Sequence, residues 1–297
     1  MSVLALPSAG LAWLGQQGTR AIAALVVIGI ALPPVGAALK PFVTEAVFLL
    51  LCTAFLRVDP AALRGYLGRP ALVIAATAWT SVAVPLLFAA GGLLSGADAG
   101  APDLFLGLIL HGAASPMMAA PAFAALMGLD ATLVLATLVT STALTPLSAS
   151  LFVYLFAGGA LALSPLELGL KLFLMLAGSA LVAAVIRRAV GVAAVHRFKH
   201  EIDGINILLL FVFVAAVMEN VAGSFLARPL LAIALTLLAF AVFFAILGAT
   251  LLLFARAGRE RAFALGFMTA QRNMGLMLAA TGGAVPELTW LYFALSQ

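Results

Sequence analysis

Apolar residues run through this chain in long, nearly unbroken blocks, with polar residues gathered at short intervals between them. Ala21–Leu39 and Pro229–Phe254 are two such blocks. A membrane β-barrel would show alternating polarity in segments of roughly 10 residues. The blocks here are roughly twice that long and do not alternate, and about 20 apolar residues make a membrane-spanning helix. The pattern predicts helical segments at about 18–38, 41–57, 69–94, 103–127, 130–158, 165–188, 203–226, 228–255 and 260–282, and a last one opening near 286. The breaks carry turn chemistry: Lys40-Pro41, Asp59-Pro60, Gly96–Pro102, Gly158-Gly159, Ser164-Pro165 and Arg228-Pro229.

Composition turns this pattern into a fold class. Hydrophobic residues make up 65% of the chain and charged ones only 9%, with a mean hydropathy of +1.23. A soluble domain carries about 25% charged residues, so these segments must cover themselves with lipid. In lipid each segment has to satisfy its own backbone hydrogen bonds, which selects helices. The expected class is therefore an all-α integral membrane protein with about ten transmembrane helices. The net charge of +4 is scattered between apolar segments, which argues against a nucleic-acid partner. A single cysteine, Cys52, excludes a disulfide within the chain and a cysteine metal cluster. Met1–Gln17 has no basic stretch ahead of its apolar residues, unlike a cleaved signal peptide.

Charge placement supplies the topology. With a cytoplasmic N-terminus, the inside loops hold Arg20, then Arg57, Arg64 and Arg69, then Arg187, Arg188, Arg197 and Lys199, then Arg256, Arg259 and Arg261. The outside loops hold only Lys40 and Arg228. This is the positive-inside bias, and a miscounted helix would scramble it. The last segment, Pro286–Gln297, is about 18 Å of helix, short of a hydrocarbon core about 30 Å thick. The expectation is that this final span is truncated.

The two halves, 1–158 and 159–297, look related. Each carries a broken segment followed by one more span. The first break is His111-Gly112-Ala113-Ala114-Ser115-Pro116, with Pro121 after it; the second is Thr269-Ala270-Gln271-Arg272-Asn273, with Gly275 after it. Five spans per half put the halves in opposite orientations. Interrupted segments at matching positions of inverted repeats point to a transport site near the midplane.

Gln271, Arg272 and Asn273 are the strongest candidates for substrate binding. A mid-span arginine costs at least about 2.5–3.5 kcal/mol to insert and so needs a cavity or a partner; snorkelling to the inside interface or a structural ion pair would also accommodate it. Ser115 and the free N–H groups of the following half-helix suit an anion, although proline kinks also serve packing. His111 is either a proton carrier or a buried neutral histidine in a hydrogen bond. Thr137, Thr140, Ser141, Thr142 and Thr145 could line an ion or proton path, or bond across helices and back to their own carbonyls. Glu45 and Glu219-Asn220, with Asn206 as a weaker candidate, could carry a proton; either glutamate could pair with Arg272. No phosphate-binding loop, H-E-x-x-H motif or grouped nucleophile and base is present in the sequence, which argues against ATP driving and against an enzyme.

At the two breaks the chain resembles the bile acid:sodium symporter superfamily, which also includes arsenite exporters. The first stretch is Gly107-Leu108-Ile109-Leu110-His111-Gly112, Ser115-Pro116, Met127-Gly128-Leu129-Asp130 and Val139–Leu147. The second is Gly266–Ala279, with Leu291–Gln297 resembling the start of the family's final helix. The resemblance implies ten helices in two inverted five-helix repeats, a panel and a core domain, and fourth and ninth helices that unwind and cross near the binding site. It also implies sodium ligands, and here the sequence departs. The serine and asparagine of the first motif fall at Ala120 and Pro121. A third-helix glutamine falls at Thr80 and a fifth-helix threonine at Leu138. The glutamate that ligates both ions falls at Met268, and a glutamine becomes Arg272.

The expected function is thus a secondary active transporter for a small organic anion, bile-acid-like or another carboxylate. It would work by alternating access in a bacterial inner membrane, without the usual sodium sites. No cofactor is expected beyond Na⁺ or H⁺ as a coupling ion. The expected partners are the anion and the bilayer, and no feature specifies an oligomeric state. Competing readings are a sodium symporter with shifted ligands, a non-transporting receptor with the same fold, and metalloid export. The arsenite branch typically uses a fourth-segment cysteine, and Cys52 lies in the second.

Overall fold

The computed structural model describes residues 5–58, 70–157, 159–219 and 221–296. In chain order the described helices of seven or more residues are α1 (Ala5–Gln17), α2 (Thr19–Ala31), α3 (Pro33–Leu39), α4 (Val43–Arg57), α5 (Pro70–Ala78), α6 (Val84–Leu94), α7 (Pro102–Ala113), α8 (Ala120–Leu126), α9 (Ala131–Phe156), α10 (Pro165–Val190), α11 (Lys199–Val217), α12 (Val221–Ala227), α13 (Pro229–Leu253), α14 (Arg259–Ala270), α15 (Met274–Thr281) and α16 (Glu287–Ser296), with shorter helices at Ala97–Gly100 and Val192–Arg197. A 3₁₀ turn, Lys40–Phe42, joins α3 to α4, and a π-helical turn, Trp79–Ala83, joins α5 to α6. Among the described residues the only extended pairing is one β-bridge, Pro116 with Arg272. Among the described residues, six helical stretches are long and apolar enough to cross a bilayer: Pro33–Arg57, Pro70–Leu94, Ala131–Phe156, Pro165–Val190, Lys199–Ala227 and Pro229–Leu253. The protein is an all-helical integral membrane protein.

The hydrophobic blocks anticipate most of these elements to within a few residues. The N-terminal part is a correction. The break expected at Lys40-Pro41 opens earlier, at Leu32, whose backbone leaves the helical region (φ −122°, ψ 70°) ahead of Pro33. A residue before proline is pushed out of the α region. Lys40-Pro41 instead continues the rod as a tight turn, because proline is tolerated where its missing N–H has no helical acceptor. Met1–Gln17 contributes a helix, α1, that the hydrophobic pattern did not assign.

The chain divides into two compact units, and each draws on both sequence halves. The first is Met1–Arg57 with Met175–Pro229. Its centre is α11. Gly15 of α1 lies so close to the backbone of His200 and Gly204 that no side chain fits there, and Gly204 is packed equally tightly on Leu11. Such close backbone approach is how membrane helices gain contact where lipid removes the hydrophobic drive. Gly29 and Gly36 rest on Ala215 further along. Polar pairs mark the two ends of α11: Lys40 with Glu219 at 2.9 Å, and Arg57 with Asp203 at 2.6 Å. Near the Asp203 end Thr53 Oγ1 donates to Asn206 Oδ1 (2.8 Å). Arg187 donates to the carbonyls of Phe55 and Leu56, which lie in the last turn of α4 and have no helical donor.

The second unit is Val58–Leu174 with Leu230–Gln297. Its core includes a cluster of Ala76, Ala120, Ala124, Leu133, Val134, Leu138, Phe254, Ala262, Ala264, Leu265 and Met268. This packing fixes the broken helices α7–α8 and α14–α15. Helix α13 exposes most of its apolar surface, as a lipid-facing helix does. Helix α16, though only ten residues long, is anchored on α7: Thr289 Oγ1 donates to the Asp103 carbonyl (2.6 Å), and Gly107 leaves room for Tyr292.

Candidate functional site

Both broken helices stop for identifiable reasons. Pro116 lacks an N–H and forces Ser115 out of the helical region, so α7 ends with Ala114 extended (φ −61°, ψ 149°). Helix α14 ends with Gln271 extended (φ −96°, ψ 114°). Unpaired backbone at membrane depth is costly, and here each break satisfies the other. Met117 N–H donates to the Gln271 carbonyl (2.9 Å) and Asn273 N–H to the Ser115 carbonyl (2.8 Å). Beyond the crossing, Asn273 Oδ1 accepts the Leu276 N–H (3.0 Å) and so caps α15. Asp130 caps α9 in the same way through Leu133 N–H (3.0 Å), and also meets Arg261 at 3.5 Å.

Arg272 lies at the centre of this crossing and is 6% exposed. Its guanidinium donates twice to the Thr80 carbonyl (3.2 Å each) and once to the Ala114 carbonyl (2.9 Å). Both acceptors are free because of local backbone events. In the π turn, Val84 N–H bonds to the Trp79 carbonyl, and the next residue along, which could serve Thr80, is Pro85 with no N–H. Ala114 is the residue at which α7 breaks. Nε is left without a partner, and no carboxylate pairs with this guanidinium among the described residues. The alternative pairing of Arg272 with Glu45 or Glu219 is not formed. Glu219 takes Lys40, and Glu45 is exposed on α4; both lie in the first unit.

His111 lies one turn before the break, 5% exposed. Nδ1 is 2.8 Å from the hydroxyl of Tyr292 on α16. The imidazole is flanked by the rings of Phe88 and Tyr292, with centroids 4.9 Å and 5.5 Å away. Gly112 is where Phe88 packs: a Cβ there would come within 2.8 Å of its side chain.

The second unit therefore gathers Gln271, Arg272, Asn273, Ser115 and His111 around one crossing. Gln271 and Asn273 are half-buried, while Ser115 is fully buried with its hydroxyl unpartnered. Thr140 bonds to Thr77 of α5 (2.6 Å) and to the carbonyls of Ala136 and Thr137. The side-chain hydroxyls of Ser141, Thr142, Thr137 and Ser81 are buried with no hydrogen-bond partner, while Thr145 Oγ1 donates to the Ser141 carbonyl (3.0 Å). Asn220, Arg64 and Arg69 lie outside the described residues. Three residues of the site escaped the reading of the sequence: Thr80 as a carbonyl donor-trap, Phe88 and Tyr292. Pro85, five residues after Thr80, was the available signal for the first. Nothing local marks the other two, because their partners are 23 and 181 residues away.

The resemblance implies sodium, and three of the side chains at the positions it marks supply no oxygen. Ala120, Leu138 and Met268, which stand where oxygen ligands are expected, pack together in the apolar core cluster and are at most 1% exposed. A hard cation needs oxygen donors, and aliphatic side chains and a thioether supply none. The Thr80 hydroxyl pairs with Thr269 (3.2 Å), and its carbonyl already holds a guanidinium.

No curated protein matches the chain. The sodium bile acid symporter family matches residues 44–228, more than half of the length, and the match stops before Gln271-Arg272-Asn273. It is a family of membrane transporters and not of enzymes. Together with its membrane-spanning helices, this match places the chain in the sodium bile acid symporter family, as a multi-pass membrane transporter of that type.

Proposed function

We propose that this protein is a secondary carrier for a small organic anion, working by alternating access and without sodium. The observation that carries the reading is the buried Arg272 guanidinium, held on two main-chain carbonyls with no carboxylate partner among the described residues. A fixed positive charge with only dipoles around it leaves the crossing net positive, and such a site attracts an anion. The half-buried amides of Gln271 and Asn273 flank it and supply hydrogen-bond donors of the kind a carboxylate or sulfonate accepts. Ser115 adds a buried, unpartnered hydroxyl. The guanidinium thus takes the place of the missing cation: it holds the crossing together and biases it towards anions.

The same reading counts ten crossings. The six long spans are joined by α2, by the broken pairs α7–α8 and α14–α15, and by α16, in two inverted repeats meeting near residue 158. The arginine-rich loops support a cytoplasmic N-terminus, and the family resemblance suits a bacterial inner membrane. The test is uptake of labelled taurocholate, cholate, pyruvate and succinate into proteoliposomes, with sodium or potassium outside. Saturable flux that is the same in both salts and lost in Arg272→Gln supports the carrier. Flux that needs the sodium gradient would replace it with a sodium symporter whose ligands have moved. Binding without flux would replace it with a receptor.

A further inference from the structure

We infer that His111 is the proton site of this carrier, loaded together with the anion, so that the cycle is a proton–anion symport. The inference rests on the anion-carrier reading and names its coupling ion. A carrier that concentrates its substrate needs a driving ion, and Ala120, Leu138 and Met268 offer no oxygen at the positions where sodium ligands are expected. His111 is the side chain at the crossing whose charge ordinarily changes near physiological pH.

Its surroundings accommodate both charge states. Nδ1 faces the Tyr292 hydroxyl at 2.8 Å. A phenol hydroxyl donates to a neutral imidazole nitrogen and accepts from a protonated one, so the pair survives protonation by turning one hydrogen. The Phe88 ring centroid, 4.9 Å from that of the imidazole, lies within the distance over which an aromatic ring interacts with a cation. What opposes the proton is Arg272, fixed on the Ala114 carbonyl three residues from His111. Of the elements packed on α7, α6 carries no charged residue, α9 carries only Tyr154 as a titratable group, and α16 carries Glu287 and Tyr292. Asp98 lies in the short helix before α7. Asp103 is on α7 itself, about two turns from His111, and Glu287 is near that same end, since Thr289 bonds to the Asp103 carbonyl. Among the described residues, therefore, none of these carboxylates is placed beside the imidazole to balance a second positive charge.

The consequence is conditional loading. An empty crossing carries one fixed positive charge and disfavours a second. A bound monoanion brings the sum to zero, and a proton on His111 then returns it to the empty value. The bound anion thus raises the affinity for the proton and, by reciprocity, the proton raises the affinity for the anion, which is the coupling a symporter uses, and a cycle that carries both moves no net charge.

The experiment uses the full-length protein in proteoliposomes containing a pH-sensitive dye, with labelled taurocholate and pyruvate as probes and protein-free vesicles as the passive control. With the outside one pH unit more acid, we expect about tenfold accumulation, the proton ratio passed one for one to the anion. Clamping the membrane potential with potassium and valinomycin should not change it. His111→Gln, which keeps a hydrogen bond to Tyr292, should lose the accumulation and instead respond to an inside-positive potential. Tyr292→Phe should keep the coupling but need a lower outside pH. Accumulation that is equal with and without the pH gradient, or retained in His111→Gln, overturns the proton site and leaves the sodium-independent carrier standing. Absence of any anion flux overturns both. If His111→Gln fails to fold, calorimetric binding to the wild type in two buffers of different ionisation enthalpy decides: one proton taken up per anion supports the site, and none refutes it.

Discussion

Replacing Arg272 separates its two roles, brace and charge. Arg272→Gln removes the donors from the Thr80 and Ala114 carbonyls. At about 1.5–3 kcal/mol for each carbonyl's charged hydrogen bonding, the loss is about 3–6 kcal/mol. Removing a buried guanidinium returns at least about 2.5–3.5 kcal/mol of insertion cost. The difference is a destabilisation between about zero and about 3 kcal/mol, because the two terms oppose each other. Anion affinity has no such compensation. A unit charge about 6 Å from a bound anion at an effective dielectric of about 20 contributes about 2.8 kcal/mol, about a hundredfold in Kd. Arg272→Lys keeps the charge but loses the planar fork that spans two carbonyls. We expect it to melt earlier than wild type and still bind the anion. The assay is equilibrium binding of labelled taurocholate and pyruvate to purified protein, alongside thermal unfolding of the same samples. Arg272→Gln binding at wild-type affinity would refute the electrostatic role, whatever its melting temperature.

Other substitutions test the frame around the site. Asn273→Ala removes the cap of α15 and should lower stability by about 0.5–2 kcal/mol, read as an earlier thermal melt, with Asn273→Asp recovering most of it. Gly15→Ala places a methyl against the His200 carbonyl and the Gly204 backbone; overpacking of this kind costs about 1–3 kcal/mol, and an unchanged melting curve would show that α1 does not pack there. Cys52 is the only cysteine in the chain, so Cys52→Ser gives a clean background for topology. In it, Asp98→Cys should react with an impermeant maleimide from outside intact cells, and Arg256→Cys only after the cells are opened. Labelling of both from one side would break the proposed topology.

While missing α1 and the break at Leu32, the sequence by itself determined the fold class, most of the helix positions and the two breaks. These follow from local chemistry: a bilayer imposes helices on any long apolar run, and Pro116 removes a donor wherever it sits. It also marked Gln271, Arg272 and Asn273 as costly and therefore purposeful. Only the tertiary structure decided what those residues touch. Whether Arg272 faced a cavity, a glutamate or the interface depended on which carbonyls were left open elsewhere, and one of them is 192 residues away in a π turn. The same holds for Ala120, Leu138 and Met268, which become a shared apolar core only once α8, α9 and α14 pack. His111 is ambiguous as a lone histidine and finds its partners, Tyr292 and Phe88, only in the fold. Periodicity and local hydrogen-bond chemistry act over a few residues and are legible in a sequence. Satisfaction of buried polar groups is settled across the whole chain, and so it waits for the fold.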